Sequence, residues 1–347
     1  MVKYRISIWI ALCCFAAGGV TGCKTDEDVG PRSAVDENVD GTDSSGDTDD
    51  SDSGVVLSGL NGAVQISAAI NVNGIASDGS ALFIGNNDGE LQTMTVTGAN
   101  ASVLESFSSA INYVRLAQGV LAVQVYTELY MGEVTDGVSM ISDDVHQFAT
   151  LGGSAYWLRE SDGALVTASA DGGSTVTLNE ETGANHYIMP IAAVGNTIFY
   201  ASDTQLYAAD AATGTAQQIY TAPEMIIEIS ANDDWLYFVG PWESISKMRH
   251  DGTDVTPLFT ATSGFQPNLS ELFLQGDNLY FLVKSKVGCA PTDIAQLNTS
   301  TDTVTLLLEG QDCIIGLTAD DDAVYFGARK PTDTRGPLEN GVYRLDL

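Results

Sequence analysis

The chain has 347 residues, with 46 Asp and Glu against 14 Lys and Arg, a net charge of −32. A chain this acidic repels nucleic-acid phosphates, so DNA and RNA are excluded as partners. Its three histidines, His146, His186 and His250, are scattered, which argues against a histidine metal site or triad and suits surface loops.

In chain order, Lys3 and Arg5 come first, ahead of an apolar run from Ile6 to Ala17. That run is short for a membrane span and suits a signal-peptide core. Val20-Thr21-Gly22-Cys23 follows and resembles the lipobox of bacterial lipoproteins. The resemblance implies removal of residues 1–22, a diacylglyceryl group on Cys23 and acylation of the new amine, as with palmitate. Several acyl chains, at about 0.8 kcal/mol per buried CH₂, make a stable anchor. Lys24 resembles the residue that passes lipoproteins to the outer membrane of Gram-negative bacteria. Cys23-Lys24-Thr25-Asp26-Glu27-Asp28 also resembles the acidic export signals of some surface lipoproteins. The expected location is the cell envelope, lipid-anchored at the periplasmic or surface face of the outer membrane.

Residues 23–54 read as a lipidated cysteine and an acidic tether. Beyond Lys24 and Arg32 every charge is Asp or Glu, and Ser, Thr and Gly fill much of the rest. Such a segment buries almost nothing and extends by self-repulsion. Asp36-x-Asn38-x-Asp40-Gly41 has calcium-loop spacing, but Asp43 takes a usually apolar position and no helices flank it. No metal or other cofactor is expected.

From residue 55 to 347 the sequence repeats. Each unit places an aliphatic residue followed by one or two aromatics in a short strand after a Gly/Asn/Asp turn: Leu82-Phe83, Ala155-Tyr156-Trp157, Ile198-Phe199-Tyr200, Leu236-Tyr237-Phe238, Leu279-Tyr280-Phe281 and Val324-Tyr325-Phe326. A weaker copy, Gln118 to Ala122, makes a seventh unit at roughly 42 residues each, the length of a four-stranded blade. The fold expected is all-β: a β-propeller of seven four-stranded blades. Its last unit stops after three strands, and Val55-Val56-Leu57-Ser58 is the strand expected to complete it and close the ring. The fixed position of Phe83, Tyr156, Phe199, Tyr237, Tyr280 and Tyr325 marks them as core. Runs such as Asp233-Asp234 and Asp320-Asp321-Asp322 precede second strands, where Asp caps a tight turn.

Two phrases resemble known propellers. Asn196 to Asp203 is similar to the YWTD strand of low-density-lipoprotein-receptor propellers, and Lys247 to Asp254 is similar to the repeat of TolB-like propellers. The resemblance implies the fold and little about function, because propellers range from scaffolds to enzymes.

Catalytic motifs are missing: there is no Gly-x-Ser-x-Gly, His-Glu-x-x-His, Gly-x-x-x-x-Gly-Lys or Cys-x-x-Cys. The bases are distributed unevenly. Of Arg115, Arg159, Lys247, Arg249, Lys284, Lys286, Arg329, Lys330, Arg335 and Arg344, five fall in or beside two loops, Lys284 to Thr292 and Arg329 to Asn340. In a blade, the loop between second and third strands shares a face with the connection to the next blade. Lys284, Lys286, Arg329, Lys330 and Arg335, with Trp242 beside them, therefore form the candidate binding face. Cys289 and Cys313 reach that face in adjacent blades and, in an oxidising compartment, are expected to be disulfide-bonded. The expected function is a monomeric binding or scaffolding module for a protein, peptide or glycan. The alternative is a propeller lyase or hydrolase acting on polysaccharide or peptide, which needs convergent polar groups at the central channel.

Overall fold

The computed structural model describes residues 62–68, 70–170, 173–180, 190–240, 244–260, 265–267, 272–285, 292–311, 313–329 and 339–347. The chain divides into two units, Met1–Gly54 and Val55–Leu347, and every described residue belongs to the second. All of the regular structure among the described residues is β. Seven antiparallel sheets form in chain order, six of four strands and one of five. Each is a blade running from an innermost to an outermost strand. This is a seven-bladed β-propeller.

The repeat's aromatics explain why the blades stack. Successive strand residues point to opposite faces, so the two residues of each pair enter different interfaces. Tyr280 packs between the sixth and seventh blades, with Phe326. Its neighbour Phe281 packs between the fifth and sixth, with Tyr237. Seven such clusters, one at each junction, form the core. Phe83, Phe199, Tyr237, Tyr280 and Tyr325 are all at most 1 % exposed, each contributing roughly 1.5–3 kcal/mol by burial.

The turns before the second strands are built as the acidic runs suggest, with one change. Asp320 Oδ1 accepts the N–H groups of Asp322 and Ala323, both at 2.9 Å, and Oδ2 accepts the Tyr325 hydroxyl at 2.9 Å. In the fifth blade the cap is Asn232, which accepts from Asp234 and Trp235. Asp233 and Asp234 are not the capping residues there.

Ring closure also differs in detail from expectation. The seventh blade is Ile314–Ala319, Ala323–Ala328 and Gly341–Asp346, completed on its outer side by Ala63–Ala68. An N-terminal strand does close the ring, but it is Ala63–Ala68; Val55–Ser58 lies outside the described residues. Glycine makes that junction possible. Gly327, in the second strand of the seventh blade, sits against Val72 of the first, and a Cβ there would lie 2.6 Å from the Ile315 carbonyl.

Candidate functional site

The innermost strands surround a central channel. A cavity of about 230 Å³ opens there between the second and sixth blades. The repeat sets a common level around it: opposite the first residue of each aromatic pair stand Ala149, Ala192, Ser230, Phe273 and Thr318. In the second blade that pair is missing. Ala122 replaces the aromatic, and the residue opposite is Arg115. A long base therefore enters the channel where the repeat is weakest.

Arg115 is half-buried. Its Nη1 donates to the Val114 carbonyl at 3.3 Å, and its guanidinium lies 5.6 Å from the centre of the Tyr113 ring. Glu228 lines the same cavity from the fifth blade, three blades away around the ring, and is 8 % exposed. Gln147, Thr150 and Ser230 add polar groups, while Phe148, Ile191, Leu272 and Phe273 add apolar wall. Among the described residues no group of three His, Cys, Asp or Glu could hold a metal ion.

The face that carries the second-to-third-strand loops has its own features. In the second blade that turn places Tyr126 at φ 56° with 72 % of its surface exposed. A left-handed conformation is uncommon outside glycine and disfavoured for a bulky side chain. In the sixth blade the second strand, Asn278–Ser285, runs for eight residues, where the other blades use four to six. Its far end pairs with a separate short strand, Phe265–Pro267. Tyr280 is followed by five more strand residues and Tyr325 by three, so this strand runs about 7 Å further past the aromatic than its counterpart in the seventh blade.

The expected site residues are placed as follows. Lys284 lies on that longer strand, its backbone paired with Gln266 and Thr292. Arg329 immediately follows the second strand of the seventh blade, Ala323–Ala328. Its N–H donates to the Cys313 carbonyl at 3.0 Å, and Nη2 donates to Asn73 Oδ1 at 2.9 Å. Cys313 immediately precedes the innermost strand of that blade, Ile314–Ala319, and is 3 % exposed. Cys23, Trp242, Lys286, Cys289, Lys330 and Arg335 lie outside the described residues.

The other bases are engaged. Arg159 pairs with Asp162 at 2.9 Å, Arg344 with Asp346 at 2.7 Å, and Arg249 with Asp254 at 3.7 Å. Lys247 reaches Asp302 of the next blade at 2.5 Å and lies, with Arg249, over the Trp235 ring. His146 and His250 both lie in loops between strands and are half-buried, the ring of His250 packing 4.8 Å from Phe199; His186 lies outside the described residues.

Arg115, Glu228 and Tyr126 were not singled out by the sequence. Arg115 had a signal, since it faces the one unit lacking its aromatic. Tyr126 had none, because a left-handed tyrosine leaves no trace in residue order.

No protein-family model matches the chain, and no curated protein does. Solved structures do. A chain described as a crystal structure of a nidogen/laminin complex is 11 % identical, with a TM-score of 0.49, covering 65 % of this chain and 91 % of its own. A computationally designed protein, Ika8, is 12 % identical, with a TM-score of 0.54, covering 83 % of this chain and 100 % of its own. The likeness is one of fold alone. An architecture shared with 1189 solved chains leaves function to the site.

Proposed function

We propose that this chain is an extracytoplasmic lipoprotein, anchored through Cys23 and a tether over residues 23–54, whose propeller binds a protein, peptide or glycan on its loop face. The observation that carries the reading is Tyr126. An exposed aromatic in a disfavoured backbone conformation is retained at a cost to stability, and such residues collect at recognition sites. The longer hairpin of the sixth blade, bearing Lys284, supports the same face. Lys286, Arg329, Lys330, Arg335 and Trp242 extend it toward the fifth and seventh blades, and a Cys289–Cys313 bridge would hold the sixth-blade loop in place. Bases on an otherwise acidic body favour partners with anionic groups and discourage others.

Full-length protein in detergent, cross-linked to envelope extract, tests this. Tyr126→Ala and the triple change of Lys286, Lys330 and Arg335 to Ser should each weaken capture, the triple change also flattening its salt dependence. If both variants capture the same partner as strongly as the parent, the loop face is not the binding surface. Cys23→Ala should yield protein without bound lipid, and normal acylation of that variant would remove the anchor from the reading.

A further inference from the structure

In a chain of net charge −32 bases find carboxylates readily. Arg159, Lys247, Arg249 and Arg344 each have one within 4.0 Å. Arg115 has none among the described residues. Its five N–H donors serve a single carbonyl, Val114, at 3.3 Å. Arg115 is half-buried, and with no carboxylate in contact among the described residues most of its donors are left for an incoming anion.

The rest of the cavity selects the anion. One guanidinium matches one carboxylate, which it holds through two parallel N–H···O bonds. A phosphate dianion would require further positive charge, and among the described residues lining the cavity the only other Asp, Glu, Lys, Arg or His is Glu228, whose carboxylate would repel a second negative charge. Phe148, Ile191, Leu272 and Phe273 offer apolar contact nearby. The volume of about 230 Å³ exceeds the ~150 Å³ of an engineered apolar cavity that holds benzene, room for a leucine-sized group.

We infer that the central channel is a binding site for a monocarboxylate with an apolar body, the carboxylate on Arg115 and the body against Phe148, Ile191, Leu272 and Phe273. The site is separate from the loop face and stands whether or not that face binds a partner. Two sources present this chemistry: a small free carboxylic acid, and the C-terminus of a peptide ending in an apolar residue.

Calorimetric titration of the full-length protein in detergent separates them. The probes are N-acetyl-leucine and the peptide Ala-Ala-Ala-Ala-Leu, each as free acid and as amide, with inorganic phosphate as the competing anion. At least one acid should bind, its amide about tenfold or more weaker, the loss expected when a charge-assisted pair is removed. Arg115→Gln should lower affinity for that acid by a similar factor while leaving the amide's unchanged. Tighter binding of N-acetyl-leucine assigns the free acid, and tighter binding of the peptide assigns the chain end; both uphold the site. Binding of acid and amide alike, binding of neither acid, or tighter binding of phosphate would overturn it. The acid-against-amide comparison uses the parent protein, so it decides the matter even if Arg115→Gln does not fold.

Discussion

Arg329 Nη2 donates to Asn73 Oδ1 at 2.9 Å, and Asn73 Nδ2 in turn donates to Asn87 Oδ1 at 2.5 Å. These side chains tie the seventh blade to the first, across the junction where the ring closes. Arg329 therefore serves the fold as well as bordering the candidate face. Arg329→Met should lower unfolding free energy by about 1.5–3 kcal/mol, the range for hydrogen bonds to charged groups. Urea denaturation would show this as a lower midpoint with unchanged slope. A midpoint equal to the parent's would mean the link contributes nothing.

The same junction depends on the bare backbone of Gly327. Gly327→Ala would press a methyl group into Val72 and the Ile315 carbonyl, and should cost about 1–3 kcal/mol, as for overpacked cores. Gly240→Ala is the control. Its Cβ would meet nothing closer than Ser244 Oγ at 3.4 Å, so stability should stay within about 0.5 kcal/mol. Thermal melts of the two variants side by side would discriminate. Equal melting temperatures would show that the contact relaxes.

Alkaline pH should unfold the protein through its tyrosines. Burial, the largest cause in each case, raises the hydroxyl pKa of Tyr200, Tyr237, Tyr280, Tyr325 and Tyr343 above the ordinary value of 10.0. The unfolded chain then loses these protons first. Their stabilisation is fully present below pH 10 and is lost as pH rises toward the folded values. For Tyr325 the hydrogen bond to Asp320 adds to the rise. Denaturation midpoints should fall steeply above about pH 10, together with a cooperative rise in phenolate absorbance. Smooth, non-cooperative ionisation near the ordinary value would contradict the burial.

The proposed Cys289–Cys313 bridge makes a chemical prediction. Alkylation of denatured, unreduced protein lacking residues 1–22 should label neither cysteine, and a proteolytic digest should hold a linked peptide containing both. Reduction should destabilise the domain by roughly 3 kcal/mol, on the loop-entropy model. Quantitative labelling of both thiols before reduction would disprove the bridge.

What the sequence made legible follows from burial. Tyr237, Tyr280 and Tyr325 recur at one position because every blade must fill the same gap, so both the count of blades and the second strands could be read. Ala63–Ala68 was missed because an outermost strand needs no apolar run. Val64, half exposed, faces solvent, whereas Val55–Ser58 looks more strand-like than the segment that closes the ring. Arg115 and Glu228 belong to different blades, and only the closed ring brings them to one cavity. Residue order could show Arg115 as a break in the pattern but could not show what it faces.

The last blade draws on both ends of the domain, Ala63–Ala68 pairing with Gly341–Asp346. A chain emerging from a ribosome or crossing a membrane N-terminus first has its closing strand long before that strand's partner exists. Until Asp346 arrives, six blades stand as an open arc whose terminal strand edges are templates for pairing with other chains. Removing Gly341–Asp346 therefore harms more than the segment removed: it unlatches Ala63–Ala68 as well. For this architecture Gly341–Asp346 decides whether Ala63–Ala68 ever folds.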